Sequence, residues 1–161
     1  MRSAKEILLM VRDFRYRIRT CRLSVEALFQ DAYGLDLHID YEGKSSSTHD
    51  PKSGESVLVS KLDALDGKLL RVQREIEHYL ELIYWLEDLC ETTLDDAELL
   101  VIRMSFFGKE ILNRDQVARS LHYSSAWVAK TRTSAYKKLD DRLFELRRDH
   151  QLPEEFDDEH I

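Results

Sequence analysis

The chain has 161 residues, 43% of them apolar, with only 5 Gly and 2 Pro and a formal charge of −7. That apolar content excludes a wholly disordered protein, the scarcity of Gly and Pro points to helices throughout, and the length suits one or two small domains. No uninterrupted apolar run approaches about 18 residues, and neither end carries an apolar segment with a small-residue cleavage site, so the sequence predicts a cytoplasmic protein with no membrane partner.

The first predicted element is a helix on which Ile7, Val11, Phe14, Ile18, Cys21, Val25 and Leu28 recur at alternating steps of four and three. The same alternation runs through Leu58, Leu62, Leu65, Leu69, Val72, Ile76, Tyr79, Ile83, Leu86 and Cys90, more than four heptads. Two matched seams predict an antiparallel coiled-coil helical hairpin over residues 1–93. Folding it about its connection places Leu28 near Leu58, Cys21 near Leu65, Phe14 near Val72 and Ile7 near Tyr79. The basic residues Arg12, Arg15, Arg17, Arg19 and Arg22 are then expected to pair with Glu75, Glu77 and Glu81 across the seam. Cys21 and Cys90 read as small core residues, not as a disulfide. The connection, about 34–56, contains YEGKSSSTHDPKSGES, whose Ser, Gly, Asp and Pro content predicts a flexible loop.

Beyond residue 94 the pattern changes to shorter helices. LDDAELLVIRMSFFG predicts one helix, with acidic residues at its start as complements to the helix dipole. Asn113 followed by Gln116 is a capping box. It starts a helix over Arg114–Leu121, with Val117, Ala118 and Leu121 on one face. After a turn at His122 and Tyr123, Ser124 caps a further helix on which Val128, Thr131, Ala135 and Leu139 form the inward stripe. The opposite face carries Ala126, Ala129, Lys130, Thr133 and Lys137. This is the spacing of a helix-turn-helix, whose second helix enters the major groove of DNA. The net charge does not oppose that reading: residues 113–148 carry +5, while 31–99 carry −11 and 149–161 carry −6. Screening over about 8 Å lets a local cationic face act independently of distant acids.

Residues 94–143 resemble the region 4 domain of bacterial sigma factors as it recurs in phage and prophage transcription regulators of the ArpU and RinA kind. The resemblance rests on Ala118, Leu121, Tyr123, Ser124, Val128 and Lys138-Leu139, which match the family spacing without a gap. It departs at Ser125, Ala126 and Trp127, where sigma factors often place charged residues. It implies an all-α protein with a sigma-region-4-like helix-turn-helix over 94–148, acting in a bacterial host as a late-gene activator at a promoter, in contact with RNA polymerase. The implied partner is double-stranded DNA, met by Arg114, Arg119, Ser124, Ser125, Ala126, Ala129, Lys130, Arg132, Thr133 and Lys137. The hairpin would make it a homo-oligomer. Two other classes fit the same pattern: a DNA-recognition subunit like the phage small terminase, and a sigma mimic that binds a host factor without DNA.

The tail 149–161 reads as a solvated, frayed acidic terminus, with a second reading as an acidic arm over the basic helix. Enzymatic activity, cofactors and metals are not expected. The six histidines stand singly, and there is no Cys-x-x-Cys, glycine-rich phosphate loop or nucleophile elbow.

Overall fold

The computed structural model describes residues 2–33 and 51–157. It is all-helical, with no strand among the described residues: α1 (Ala4–Tyr33), α2 (Pro51–Thr93), α3 (Asp96–Ile102), a π-helical turn (Arg103–Phe107), α4 (Arg114–Leu121), α5 (Ser125–Arg148) and a 3₁₀ turn (Glu154–Phe156). No helix among these residues is long and apolar enough to cross a membrane. Residues 34–50, most of the expected loop, lie outside the described residues. The expected loop runs to 56, but α2 begins at Pro51. Proline suits a first helical position because its fixed φ is helical and its missing N–H would have no partner there.

The chain divides into two compact units, Met1–Tyr16 with Tyr79–Ile161, and Arg17–His78. This differs from the expected division at 93 and 148, because α1 and α2 each contribute to both units.

In the first unit Ile7, Leu8, Val11 and Phe14 from α1 are buried, as are Leu82, Ile83, Leu86, Leu89 and Cys90 from α2. Burial pushes the Cys90 thiol up to about 12. The shorter elements are set by their ends. Asp95 caps α3 by accepting from the Glu98 N–H, and the Glu98 carboxylate accepts from the Asp95 N–H in return. Both carboxylates therefore form a capping box, where the sequence predicts only complements to the helix dipole. α3 then widens into the π-helical turn, where the Ser105 hydroxyl donates to Val101 O and the Gly108 N–H to Arg103 O. Gly108 ends it, and a Cβ there would lie a tight 3.0 Å from Glu110 O.

The segment after α5 corrects the expectation of a frayed tail. α5 stops where His150 adopts φ 55° and the Gln151 N–H closes on Leu146 O, a Schellman arrangement. Pro153 follows, and Phe156 is fully buried, with its ring 5.4 Å from Trp85 and 6.0 Å from Phe14. Arg2 donates to Glu155 O, and Arg147 donates to Asp157. Acidic composition predicts solvation, but one buried aromatic and two polar contacts hold the segment against the helices. Of the expected arm, Asp157 meets Arg147 in the last turn of α5; residues 158–161 lie outside the described residues.

In the second unit Ile18 and Cys21 are buried, whereas Val25, Leu28, Leu65, Leu69, Val72 and Ile76 are half-buried. The Cys21 thiol meets the Glu75 carboxylate, and its pKa is raised by burial and then by that charge. Ser24, Ala27 and Leu28 share a shallow cleft with Lys68, Arg71 and Val72. Within this unit, residue numbers therefore rise along α1 as they fall along α2.

The pairing is offset from the expected register. Phe14 stacks on Tyr79, with centroids 5.6 Å apart, and not on Val72. Leu28 shares its cleft with Lys68 and Val72, where Leu58 is expected. The offset is seven residues at Phe14 and at least ten at Leu28. A slide of seven residues returns every apolar position to an apolar position, so spacing alone does not select a register. Arg15 also departs from expectation: it donates to Phe107 O at 2.5 Å and Gly108 O at 2.6 Å, not to a glutamate of α2. The carbonyls closing the π-helical turn lack helical partners, and a guanidinium satisfies two of them together.

Candidate functional site

The segment 113–148 begins with the expected caps. Asn113 accepts from the Gln116 N–H at 2.9 Å, and the Gln116 side chain accepts from the Asn113 N–H at 2.8 Å. α4 ends where His122 enters the left-handed region at φ 57° and the Tyr123 N–H bonds to Ala118 O. Ser124 then accepts from the Trp127 N–H at 3.1 Å and starts α5. A short turn thus separates two helices, and each helix end has a side chain or a backbone reversal to satisfy it.

α3 and α4 both pack on α5. Their shared core is Val101, Val117, Ala118 and Val128, with Met104, Leu112, Leu121 and Trp127 against it. Ala135 and Leu139 continue the buried stripe, and Thr131 is half-buried, as the spacing predicts. Two polar braces lock α5 to α3. The Lys138 ammonium donates to Glu98 at 2.7 Å and Asp95 at 3.1 Å, while the Ser134 hydroxyl donates to Glu98 at 2.7 Å. Hydrogen bonds from Glu98 and Lys138 hold the Asp95 carboxyl below its ordinary pKa, and the carboxylates raise that of Lys138. The Arg132 Nε donates to the Ser105 hydroxyl at 3.1 Å, and its guanidinium carbon lies 5.8 Å from the Phe106 ring centre.

These contacts sort the ten expected interface residues. Lys130, Thr133 and Lys137 lie exposed along one side of α5 with Ala126, and Ala129 between them is half-buried. The two ammonium groups take part in no ion pair or hydrogen bond among the described residues. Arg114 and Arg119 are exposed on α4, the first paired with the Asp115 carboxylate and the second donating to Asp115 O. Ser124 is committed to its cap. Ser125 is half-buried and donates to Asp115 at 2.6 Å, and that hydrogen bond, followed by Arg114, lowers the Asp115 pKa. Arg132, which the sequence groups with the DNA-facing residues, is half-buried and donates through Nε to the Ser105 hydroxyl beside the Phe106 ring.

Sequence reasoning missed the Tyr123–Trp127 stack, centroids 4.1 Å apart, which fixes the turn. Their four-residue spacing at a helix start was the available signal. Among the described residues no group of three or more His, Cys, Asp or Glu is arranged to hold a metal ion.

No family model, curated protein or solved structure matches the chain.

Proposed function

We propose that the chain is a DNA-binding transcription regulator in which α4, the turn and α5 act as a sigma-region-4-like helix-turn-helix. The observation that carries this reading is the free cationic side of α5. Lys130 and Lys137 stand two turns apart, their ammonium groups without a hydrogen bond or ion pair among the described residues, with Thr133 between them donating to Ala129 O, while the neighbouring Arg132 and Lys138 are engaged in internal contacts. A helix rigidly capped at Ser124 and braced at Lys138 can present that side to a groove without further ordering.

On this reading Lys130 and Lys137 hold phosphates and Arg119 contacts the flanking backbone, while the small residue Ala126 allows close approach to base edges. Because Ser125 is engaged by Asp115, the contact is dominated by phosphates and weak in sequence discrimination. α1 and α2 form the helical hairpin that supplies self-association, so that two recognition helices act together on half-sites about 34–36 Å apart or a multiple of it. Resemblance to phage and prophage regulators extends the proposal to late-gene activation with RNA polymerase at a promoter.

The test is the salt dependence of binding to duplex DNA. Replacing Lys130 and Lys137 by Ala lowers the slope of log K against log salt by about one unit per lost phosphate contact. Equal slopes for the double variant and the parent would reject α5 as the DNA-facing helix.

A further inference from the structure

The half-buried stripe of α2 in the second unit, Leu65, Leu69, Val72 and Ile76, leaves the opposite side of the helix uncovered. On that side Asp63, Gly67, Leu70, Arg74 and Glu77 follow one another at steps of four, three, four and three, a second heptad seam separate from the first. Asp63, Arg74 and Glu77 are exposed, and Leu70 is 54% exposed. A Cβ added at Gly67 would meet nothing within 4 Å. Asp63 and Arg74 take part in no hydrogen bond or ion pair among the described residues.

The order of these residues is self-complementary. Asp63 and Arg74 lie equally far from the midpoint between Lys68 and Leu69, and Gly67 and Leu70 do likewise. We propose that this side of α2 is the surface on which a second copy of the chain docks, its α2 running antiparallel about a two-fold axis at that midpoint. Each Asp63 then faces the other copy's Arg74, and each Leu70 lies over the other copy's Gly67, where the absent side chain lets the backbones approach. Antiparallel pairing is required by the charges: a parallel in-register pair would set Asp63 against Asp63 and Arg74 against Arg74. An isologous contact of this kind closes on itself and stops at two copies. The proposal rests on the reading of the helical pair as the self-association element and names its surface and polarity.

The test uses three full-length proteins, the parent, Asp63→Arg and Arg74→Asp, with mass measured by sedimentation across a concentration series and helicity checked by circular dichroism. The parent forms a dimer that weakens with added salt. Each single variant replaces two attractive pairs with two repulsive ones and dissociates at least about tenfold more readily. Mixing the two variants restores a dimer, because the first then presents only cations at the two charged positions and the second only carboxylates, and antiparallel pairing sets each cation against a carboxylate. Single variants that retain the parent's dimer, or a mixture that stays monomeric, overturn the proposed surface while leaving self-association intact. A parent that is monomeric throughout removes both, and DNA binding by α5 is measured independently of either result.

Discussion

Replacing Phe156 by Ala is the most informative perturbation of the fold. The ring is fully buried and packed between Trp85 and Phe14, so truncation removes its burial and leaves a cavity in an aromatic cluster. Phe-to-Ala changes at such positions cost about 3–5 kcal/mol. A 150–250-residue protein loses about 2–4 °C of Tm per kcal/mol. A cost near 4 kcal/mol therefore predicts a fall of roughly 8–16 °C. Phe156→Leu keeps most of the volume and is expected to cost less than about 1.5 kcal/mol. Thermal unfolding followed by far-ultraviolet circular dichroism measures both, and tryptophan fluorescence reports separately on release of the ring from Trp85. If Phe156→Ala unfolds within about 2 °C of the parent, against the several degrees expected from the burial cost, the C-terminal segment does not contribute to the core.

Further outcomes follow from the site. Arg132→Ala leaves the salt slope of DNA binding at the parent value, whereas Lys130→Ala lowers it, because Arg132 is engaged by Ser105; a lowered slope for Arg132→Ala would place that side chain on phosphate. Ser124→Ala removes the α5 cap and is expected to cost about 1 kcal/mol in denaturant unfolding; an unchanged midpoint would show that the Trp127 N–H finds another acceptor. Stability also depends on pH at both extremes. Asp95 and Asp115 titrate below their ordinary value of 3.8, so their contribution is present above that pH and disappears as pH falls through the lower folded values. Lys138 titrates above 10.5, so its contribution is complete below that pH and disappears as pH rises through the higher folded value. Cys90, Cys21 and Tyr136, whose pKa values burial raises, lose their stabilising contribution over the same alkaline range. Lys138→Ala should therefore shrink the alkaline limb in urea titrations without removing it, and an unchanged limb would assign it wholly to those other groups.

The parts of the structure readable from sequence are those governed by neighbours along the chain. Capping at Asn113 and Ser124 depends on residues three positions away, and the buried stripe of α5 depends on helical period, so both follow from spacing. The register of α1 against α2 does not, because a seven-residue repeat is blind to a seven-residue slide. Tail docking is hidden for a related reason: the six acidic residues of 149–161 dominate its composition, while its position depends on Phe156 and Glu155 meeting residues far away in sequence. At the candidate site, facing direction is readable for Lys130 and Lys137 but not for Arg132. A long arginine side chain on the flank of a helix goes where acceptors await it, and the acceptor here is created by a π-helical turn with no spacing signature.

Arg2 and Glu155, joined by a hydrogen bond, lie 153 positions apart in sequence. A ribosome delivers α1 first, yet Phe14 cannot complete its surroundings until Phe156 has been synthesised. Contacts of such long sequence separation slow folding, because the entropy of loop closure is lost before the contact forms. The first unit must therefore wait for nearly the whole chain before its core can close. During synthesis α1 carries exposed Ile7, Leu8, Val11 and Phe14, which makes the nascent chain a candidate for chaperone protection.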